Sequence, residues 1–124
     1  MNSKVFMVLR ILLGIFVLVF GINKFAGFLP PPEGMSEAAG AYFGALSSAK
    51  VMDFVGIVEI VAGVALVFNK FGALFSIILM SVSLNAVLFH ATLDPGNIYP
   101  AIALLVLNII ALYSYKDKYK DLLS

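Results

Sequence analysis

The sequence has 124 residues, of which 62% are hydrophobic and only 12% are charged, and its mean hydropathy is +1.06. Soluble domains are roughly 45–50% apolar and about 25% charged, so the composition excludes an ordinary water-soluble domain and indicates one integral membrane domain over residues 1–124. A net charge of +1 excludes a broad basic surface for nucleic acid, and the lack of cysteine excludes disulfides, thiolate ligands and dithiol redox chemistry.

The first apolar segment predicts a membrane-spanning helix over about residues 4–22. A secretory signal peptide would end in a cleavage site of small residues, whereas "FVLVFGINKF" continues the apolar run. We therefore expect this segment to be retained as a helix. Gly14 and Gly21 recur in it at a spacing of seven residues.

Residues 24–50 form the longest connection, which is predicted to be an external loop. The consecutive prolines 30–32 cannot lie inside a helix. Ser36 is well placed to cap a short helix over about residues 37–46, and we expect this helix to lie on the membrane surface. Gly40 and Gly44 form a GxxxG pattern in a segment too short and polar to span, so the pattern is interpreted as close packing on the bundle.

Three further apolar segments predict spanning helices over about residues 51–68, 72–92 and 98–115. The turns "NKF" and "LDPGN" between them are short, which makes neighbouring spans antiparallel. Gly56 and Gly63 repeat the spacing of Gly14 and Gly21, so the first two spans are predicted to pack closely through these four glycines. The predicted fold class is all-α: an integral membrane antiparallel four-helix bundle with a short interfacial helix in the first external loop.

The basic residues predict the orientation of this bundle. Two of them, Lys24 and Lys50, fall on one side. The other six fall on the opposite side: Lys4, Arg10, Lys70, Lys116, Lys118 and Lys120. Because cytoplasmic segments carry the excess of Lys and Arg, both termini are predicted to be cytoplasmic.

Glu59 lies in the middle of the apolar run "FVGIVEIVAGV". At 100° per residue it shares a helix face with Gly56, Ala62 and Gly63, which places it in the contact between spans. A charge at mid-membrane costs at least about 2.5–3.5 kcal/mol, so we expect either a protonated carboxyl or a paired one. An acid at this depth predicts a functional site.

Helix rise places Glu59 and Asn108 near the centres of their spans and Asn85 about 4–5 Å outward of the centre of its own. These three are expected to meet just outside the midplane, below a second polar tier near the outer surface. The candidate ligand pocket contains Glu59, Asn85, His90, Asn108, Lys24 and Asp53. Alternatively, the two asparagines only join helices and His90 is interfacial. Arg10 is expected to extend to the cytoplasm, with a reach toward Glu59 as the alternative.

Catalytic and metal chemistry find little support. One histidine without cysteine gives no recognisable ligand spacing, so no metal site is predicted. No phosphate loop or nucleophile elbow is present. No catalytic residue is therefore assigned.

The stretches "RILLGIFVLVFGINKF", "EIVAGVALV" and "NAVLFHATLDP" together resemble the DoxX family of small bacterial membrane proteins, the third a DoxX-like subgroup. The resemblance covers almost the whole chain. It implies a four-helix protein of the bacterial cytoplasmic membrane, in a family linked to quinone-coupled or thiol-related oxidoreductase complexes, often as accessory subunits. The residues it marks are Arg10, Gly21, Lys24, Glu59 and Gly63, with Asn85 and His90 for the subgroup. The lack of cysteine argues against direct thiol oxidation.

The first hypothesis is an accessory or ligand-binding component of a membrane oxidoreductase system. In it Glu59 and Asn85 bind the carbonyl oxygens of a quinone, while His90 or Lys24 supplies protons or a counter-charge. The alternative is an assembly or scaffold protein in which Glu59 enforces helix register and the external loop docks a partner membrane protein. A transporter would need dimerisation, because four helices enclose little room. The expected partners are the lipid bilayer and a membrane oxidoreductase, and homo-oligomerisation is left open.

Overall fold

The computed structural model describes residues 2–31 and 33–124, and the regular elements of this part are all helical. The helices are α1 Ser3–Ala26, α2 Glu37–Ser48, α3 Val51–Phe68, α4 Gly72–Leu93, α5 Tyr99–Ser114 and α6 Lys120–Leu123. Short 3₁₀ turns occupy Pro95–Asn97 and Lys116–Tyr119. The predicted all-α class is confirmed. Pro30 and Pro31 are non-helical, as expected, and Pro32 lies outside the described residues.

Three helices, α1, α3 and α4, are each long and apolar enough to cross a membrane. The 16-residue α5 qualifies only together with the following segment Lys116–Leu123, and the two are bent by 70° at the break between them. Within residues 2–31 and 33–124 there are therefore three candidate spans, or four if the bent pair counts as one span.

α1 continues beyond residue 22, its predicted end. Nothing between Gly21 and Gly27 breaks the helix, and Gly27 ends it in the left-handed region at φ +63°, where its N–H donates to the Asn23 carbonyl. Lys24 is therefore in the last helical turn and not in the external loop. The position of Lys24 in α1 determines where its side chain can reach.

α2 begins where the sequence predicted and ends two residues later, at Ser48. The Ser36 hydroxyl accepts a hydrogen bond from the Ala39 N–H at 3.1 Å, which is the expected cap. The close packing expected of Gly40 and Gly44 is wrong, because a Cβ atom at either position would meet nothing within 4 Å. The face that contacts the bundle carries the fully buried Ala39 instead.

The four long helices form a ring in which α1 contacts α3 and α5, and α4 contacts the same two helices. α2 lies against α3 and α4. The core inside the ring includes Leu13, Val17, Ala62, Leu66, Leu79 and Leu104.

The α1–α3 contact contains the four glycines predicted to lie there. A Cβ on Gly14 would lie 2.9 Å from the Gly63 carbonyl oxygen, and one on Gly21 would lie 3.0 Å from the Gly56 oxygen. Gly14 of α1 faces Gly63 of α3, and Gly21 faces Gly56. The residue numbers thus rise in α1 as they fall in α3, so these helices run antiparallel with their backbones in contact. This close approach positions the charged residues described next.

Candidate functional site

Lys24 and Glu59 form an ion pair between α1 and α3. The Lys24 Nζ lies 2.6 Å from the Glu59 Oε1, and the two side chains are 18% and 4% exposed. Helical side chains lean toward the N-terminus of their own helix. Because α1 and α3 are antiparallel, Lys24 at the end of α1 and Glu59 in the middle of α3 lean toward each other. Lys24 is thus the partner that the apolar surroundings of Glu59 required.

Glycines leave the space that this ion pair occupies. A Cβ on Gly21 would lie 2.9 Å from the Glu59 Cβ, and one on Gly56 would lie 3.2 Å from the Lys24 Cβ and 2.8 Å from the Phe25 ring. A larger residue at either position would push against the pair. The same glycines therefore serve both helix packing and the polar contact.

Arg10 is buried at the opposite end of the α1–α3 contact. Its Nη1 donates hydrogen bonds to the carbonyl oxygens of Leu66 and Val67, the second at 3.0 Å. The carbonyls of a last helical turn lack partners within the helix and carry its negative dipole end. Arg10 therefore caps α3, and neither the expected extension to the cytoplasm nor the alternative pairing with Glu59 occurs.

Asn108 is fully buried and joins α5 to α4. Its Nδ2 donates to the Ser76 carbonyl at 3.0 Å, and its Oδ1 accepts from the Ser83 hydroxyl at 2.7 Å. This matches the alternative in which the asparagine only joins helices. Sequence reasoning missed Ser76 and Ser83, although two serines seven residues apart on one apolar helix were an available signal.

Asn85 lies on the outer face of α4, where it is exposed. Its Nδ2 donates to the Ser81 carbonyl of the same helix at 2.7 Å. The predicted meeting of Glu59, Asn85 and Asn108 therefore does not form. Asn85 follows the buried Ser83 by two residues, or about 200° of rotation, so its depth was a poor guide to the direction it faces.

His90 belongs to a separate cluster at the end of α4. Its Nδ1 lies 3.2 Å from the Asp94 Oδ2, and Asp94 is only 2% exposed. The Asn97 Nδ2 donates to both Asp94 carboxylate oxygens, at 3.0 and 3.1 Å, and to the Glu33 carbonyl at 3.1 Å. This cluster attaches the first loop to the turn after α4.

Asp53 is exposed and forms no ion pair within residues 2–31 and 33–124.

Two open grooves on the surface lie away from these residues. The larger, about 520 Å³, is lined by Val61, Val64, Ala65, Phe68, Lys70, Phe71 and Phe75. The smaller, about 280 Å³, is lined by Lys4, Val5, Val8 and Leu9. Neither contains any of the six candidate pocket residues. No three His, Asp or Glu residues in the described part of the chain are placed to hold a metal ion.

The model of the DoxX family matches residues 5–92, which include the Lys24–Glu59 pair, the four contact glycines and nearly all of α1 to α4. No curated protein and no solved structure matches the chain. Because the matched region is more than half of the chain and contains three helices able to cross a membrane, this chain belongs to the DoxX family and is a multi-pass membrane protein.

Proposed function

We propose that this protein is a non-catalytic accessory component of a membrane oxidoreductase system, in which it docks a partner membrane protein. In this proposal it lies in the bacterial cytoplasmic membrane as an antiparallel four-helix bundle. In it both termini are cytoplasmic, and α2 lies on the external surface of the cytoplasmic membrane. The link to an oxidoreductase rests on the family resemblance, whereas the accessory role rests on the geometry.

The observation that carries the accessory role is the Lys24–Glu59 pair. The Lys24 ammonium lies 2.6 Å from the Glu59 Oε1, so a ligand that bonded to this oxygen would compete with Lys24. Asn108 is likewise engaged by Ser76 and Ser83. Polar groups that satisfy one another between helices fix helix pairing and register, as a scaffold requires.

α2 is the proposed docking surface. The Ser36 hydroxyl donates to the Leu93 carbonyl at 2.8 Å, and Tyr42 and Phe43 pack on Phe89 with ring centroids 5.3 and 4.8 Å away. These contacts hold one side of the helix against the bundle. The other side, with Gly40 and Gly44, is open and allows close approach of a partner backbone.

The test is affinity purification from native membranes in mild detergent, with the co-purified proteins identified by mass spectrometry. A membrane oxidoreductase subunit should co-purify with the parent chain and be lost when residues 35–46 are deleted. The paired substitutions Gly40→Gln and Gly44→Gln should also lose it while the bundle stays folded, because open space surrounds both positions. Gly96→Gln, equally open and in the turn after α4, is the matched control. Equal recovery of the partner with all variants would reject α2 as the docking surface.

A second candidate function is quinone binding at the Lys24–Glu59 pair. It is favoured by the 18% exposure of the Lys24 side chain, whose ammonium has three N–H donors and can donate a further hydrogen bond to a ligand carbonyl. Calorimetric titration of the purified protein with a short-chain quinone should then give binding that weakens at least roughly tenfold in Lys24→Met, about 1.4 kcal/mol. Asn85→Ala is the control and should bind normally. No binding, or equal binding by all three proteins, would reject this candidate.

A further inference from the structure

α4 has two opposite faces. Ser76, Leu79 and Ser83 are fully buried against the bundle. Two positions after each, Ile78, Ser81 and Asn85 are exposed, since two residues correspond to about 200° of rotation. The exposed face, here called the outer stripe of α4, consists of Leu74, Ile78, Ser81, Asn85, Leu88 and Thr92.

The outer stripe has the spacing of a helix–helix contact. Its members alternate at four and three residues, which is the heptad pattern that keeps one seam facing a second helix. From Leu74 to Thr92 it extends about 27 Å at 1.5 Å per residue. This is nearly the roughly 30 Å thickness of the hydrocarbon layer, so the seam is continuous through the membrane.

Asn85 is the unusual member of this stripe. One N–H of its amide is used by the Ser81 carbonyl, while its Oδ1 accepts no hydrogen bond from residues 2–31 or 33–124. It lies about 4 Å from the midpoint of α4, where lipid offers no hydrogen-bond donor. The exposed mid-span side chains of the other long helices are apolar: Leu12, Ile15, Ile57, Val61, Val106 and Ile109.

We propose that the outer stripe of α4 is the contact surface for a second copy of this chain. Two copies with the same orientation are related by a twofold axis along the membrane normal, so identical residues of the paired α4 helices meet at the same depth. A side-chain amide carries both donors and an acceptor and is therefore complementary to itself. The Asn85 amides of the two copies satisfy each other, and a polar residue at this heptad position fixes the register.

Cysteine cross-linking tests this contact, because the native chain contains no cysteine. Ser81→Cys and Leu88→Cys in the outer stripe should each give a disulfide-linked dimer on oxidation in liposomes at a high lipid-to-protein ratio. Ile57→Cys and Ile109→Cys, which replace 53% and 50% exposed residues in α3 and α5, are matched controls and should stay monomeric. Equal cross-linking at the control positions, or none in the stripe, would overturn the proposal. The proposal would also be overturned if the stripe cysteines cross-linked only in native membranes and gave a product heavier than the dimer, because a different protein would then occupy the stripe.

The role of Asn85 is tested by measuring dimer dissociation as the protein is diluted into lipid, using energy transfer between labelled copies. Asn85→Ala should weaken the dimer roughly 3- to 30-fold, whereas Asn85→Gln, which keeps the amide, should retain most of the affinity. The monomer should unfold at nearly the same temperature in all three, because Asn85 is exposed and its hydrogen bond is to its own helix. An unchanged dissociation constant in Asn85→Ala would overturn the amide pairing. The inference rests on α4 crossing the membrane and is independent of the proposed accessory function.

Discussion

Glu59 and Arg10 are buried between the helices, and each has a partner on a neighbouring helix. Lys24 pairs with Glu59, and Arg10 binds the last carbonyls of α3. A buried charge costs several kcal/mol when it is unpaired. Within the Lys24–Glu59 pair, each residue is therefore needed mainly because the other is present. Removing one member of the pair should therefore harm the protein more than removing both.

The Lys24–Glu59 pair gives the first prediction. Lys24→Met should lower the free energy of unfolding by about 3–5 kcal/mol, because it leaves a buried carboxylate without its counter-charge. The double variant Lys24→Met with Glu59→Gln should recover most of this loss. Both are measured by equilibrium unfolding from mild detergent into dodecyl sulfate, followed by circular dichroism. Lys70→Met, in the exposed turn after α3, is the control; a double variant no better than the single one would contradict the prediction.

Single residues show what sequence reasoning could and could not reach. The need of Glu59 for a partner followed from its apolar surroundings alone. The candidate pocket already placed Lys24 near Glu59. Their direct pairing was not predicted, because ending α1 at residue 22 left Lys24 in a loop, whereas the helix continues to Ala26. Asn85 was given the right position along α4 but the wrong direction, since position depends on counting residues and direction depends on which face of α4 the core covers.

Among the elements, α1 and α3 are joined most closely, and their glycines explain why. The Gly14 and Gly63 backbones leave no space for a side chain, since each Cβ would meet the carbonyl of the other at 2.9 or 2.8 Å. A carbonyl in a helix cannot move aside as a flexible side chain can. The two helices would have to separate.

The second prediction compares glycines in contact with glycines in the open. Gly14→Ala should lower the free energy of unfolding by about 1–3 kcal/mol, because the helices must move apart. Gly40→Ala, with nothing within 4 Å of the new Cβ, should instead raise it by about 0.5–1 kcal/mol, the usual gain of alanine over glycine in a helix. Thermal unfolding in detergent measures both. Equal effects of the two substitutions would show that the α1–α3 contact is looser than described.

The segment after α5 gives the third prediction. The Tyr119 hydroxyl donates to the Ala73 carbonyl at 2.7 Å, and burial, with a smaller effect of Tyr115, raises the pKa of Tyr119 to about 12. An unfolded tyrosine has a pKa of about 10, so the contribution of this contact to stability is complete below pH 10 and is lost as the pH rises through 12. Burial also raises the pKa of Tyr115, so ultraviolet titration should show two tyrosines ionising late, and Tyr119→Phe should leave one. Ionisation of all five tyrosines near pH 10 would contradict the docking of this segment.

Features of the helices were predictable from the sequence where a local signal determines them. They were not predictable where they depend on which part of the protein packs against the helix. The Ser36 cap was read correctly because its donors lie within three residues. The GxxxG of α2 was misread, because the spacing of Gly40 and Gly44 says nothing about whether another helix faces it. The apolar pattern predicted a last helix over residues 98–115, close to the observed Tyr99–Ser114, but it gave no sign of the 70° bend that follows.

At the scale of the whole molecule, the number of spans determines the topology. α1, α3 and α4 qualify alone, and α5 qualifies only with its bent continuation. Four crossings put both termini on one side of the membrane, whereas three put them on opposite sides. Four crossings would place six of the eight basic residues on the side of the termini and only Lys24 and Lys50 on the other. Because cytoplasmic segments carry the excess of Lys and Arg, this asymmetry predicts four crossings.

Reporter fusions give the fourth prediction. Green fluorescent protein at the C-terminus should fluoresce and alkaline phosphatase there should be inactive, since both termini are expected to be cytoplasmic. Alkaline phosphatase inserted after Gly34 should be active, and this loop position can accept it because Gly34 is exposed and a Cβ atom there would meet nothing within 4 Å. An active phosphatase at both places would mean three crossings. α5 would then enter the membrane and turn back at the break before Lys116, and the four-span bundle would have to be abandoned even though the α1–α3 contact stayed intact.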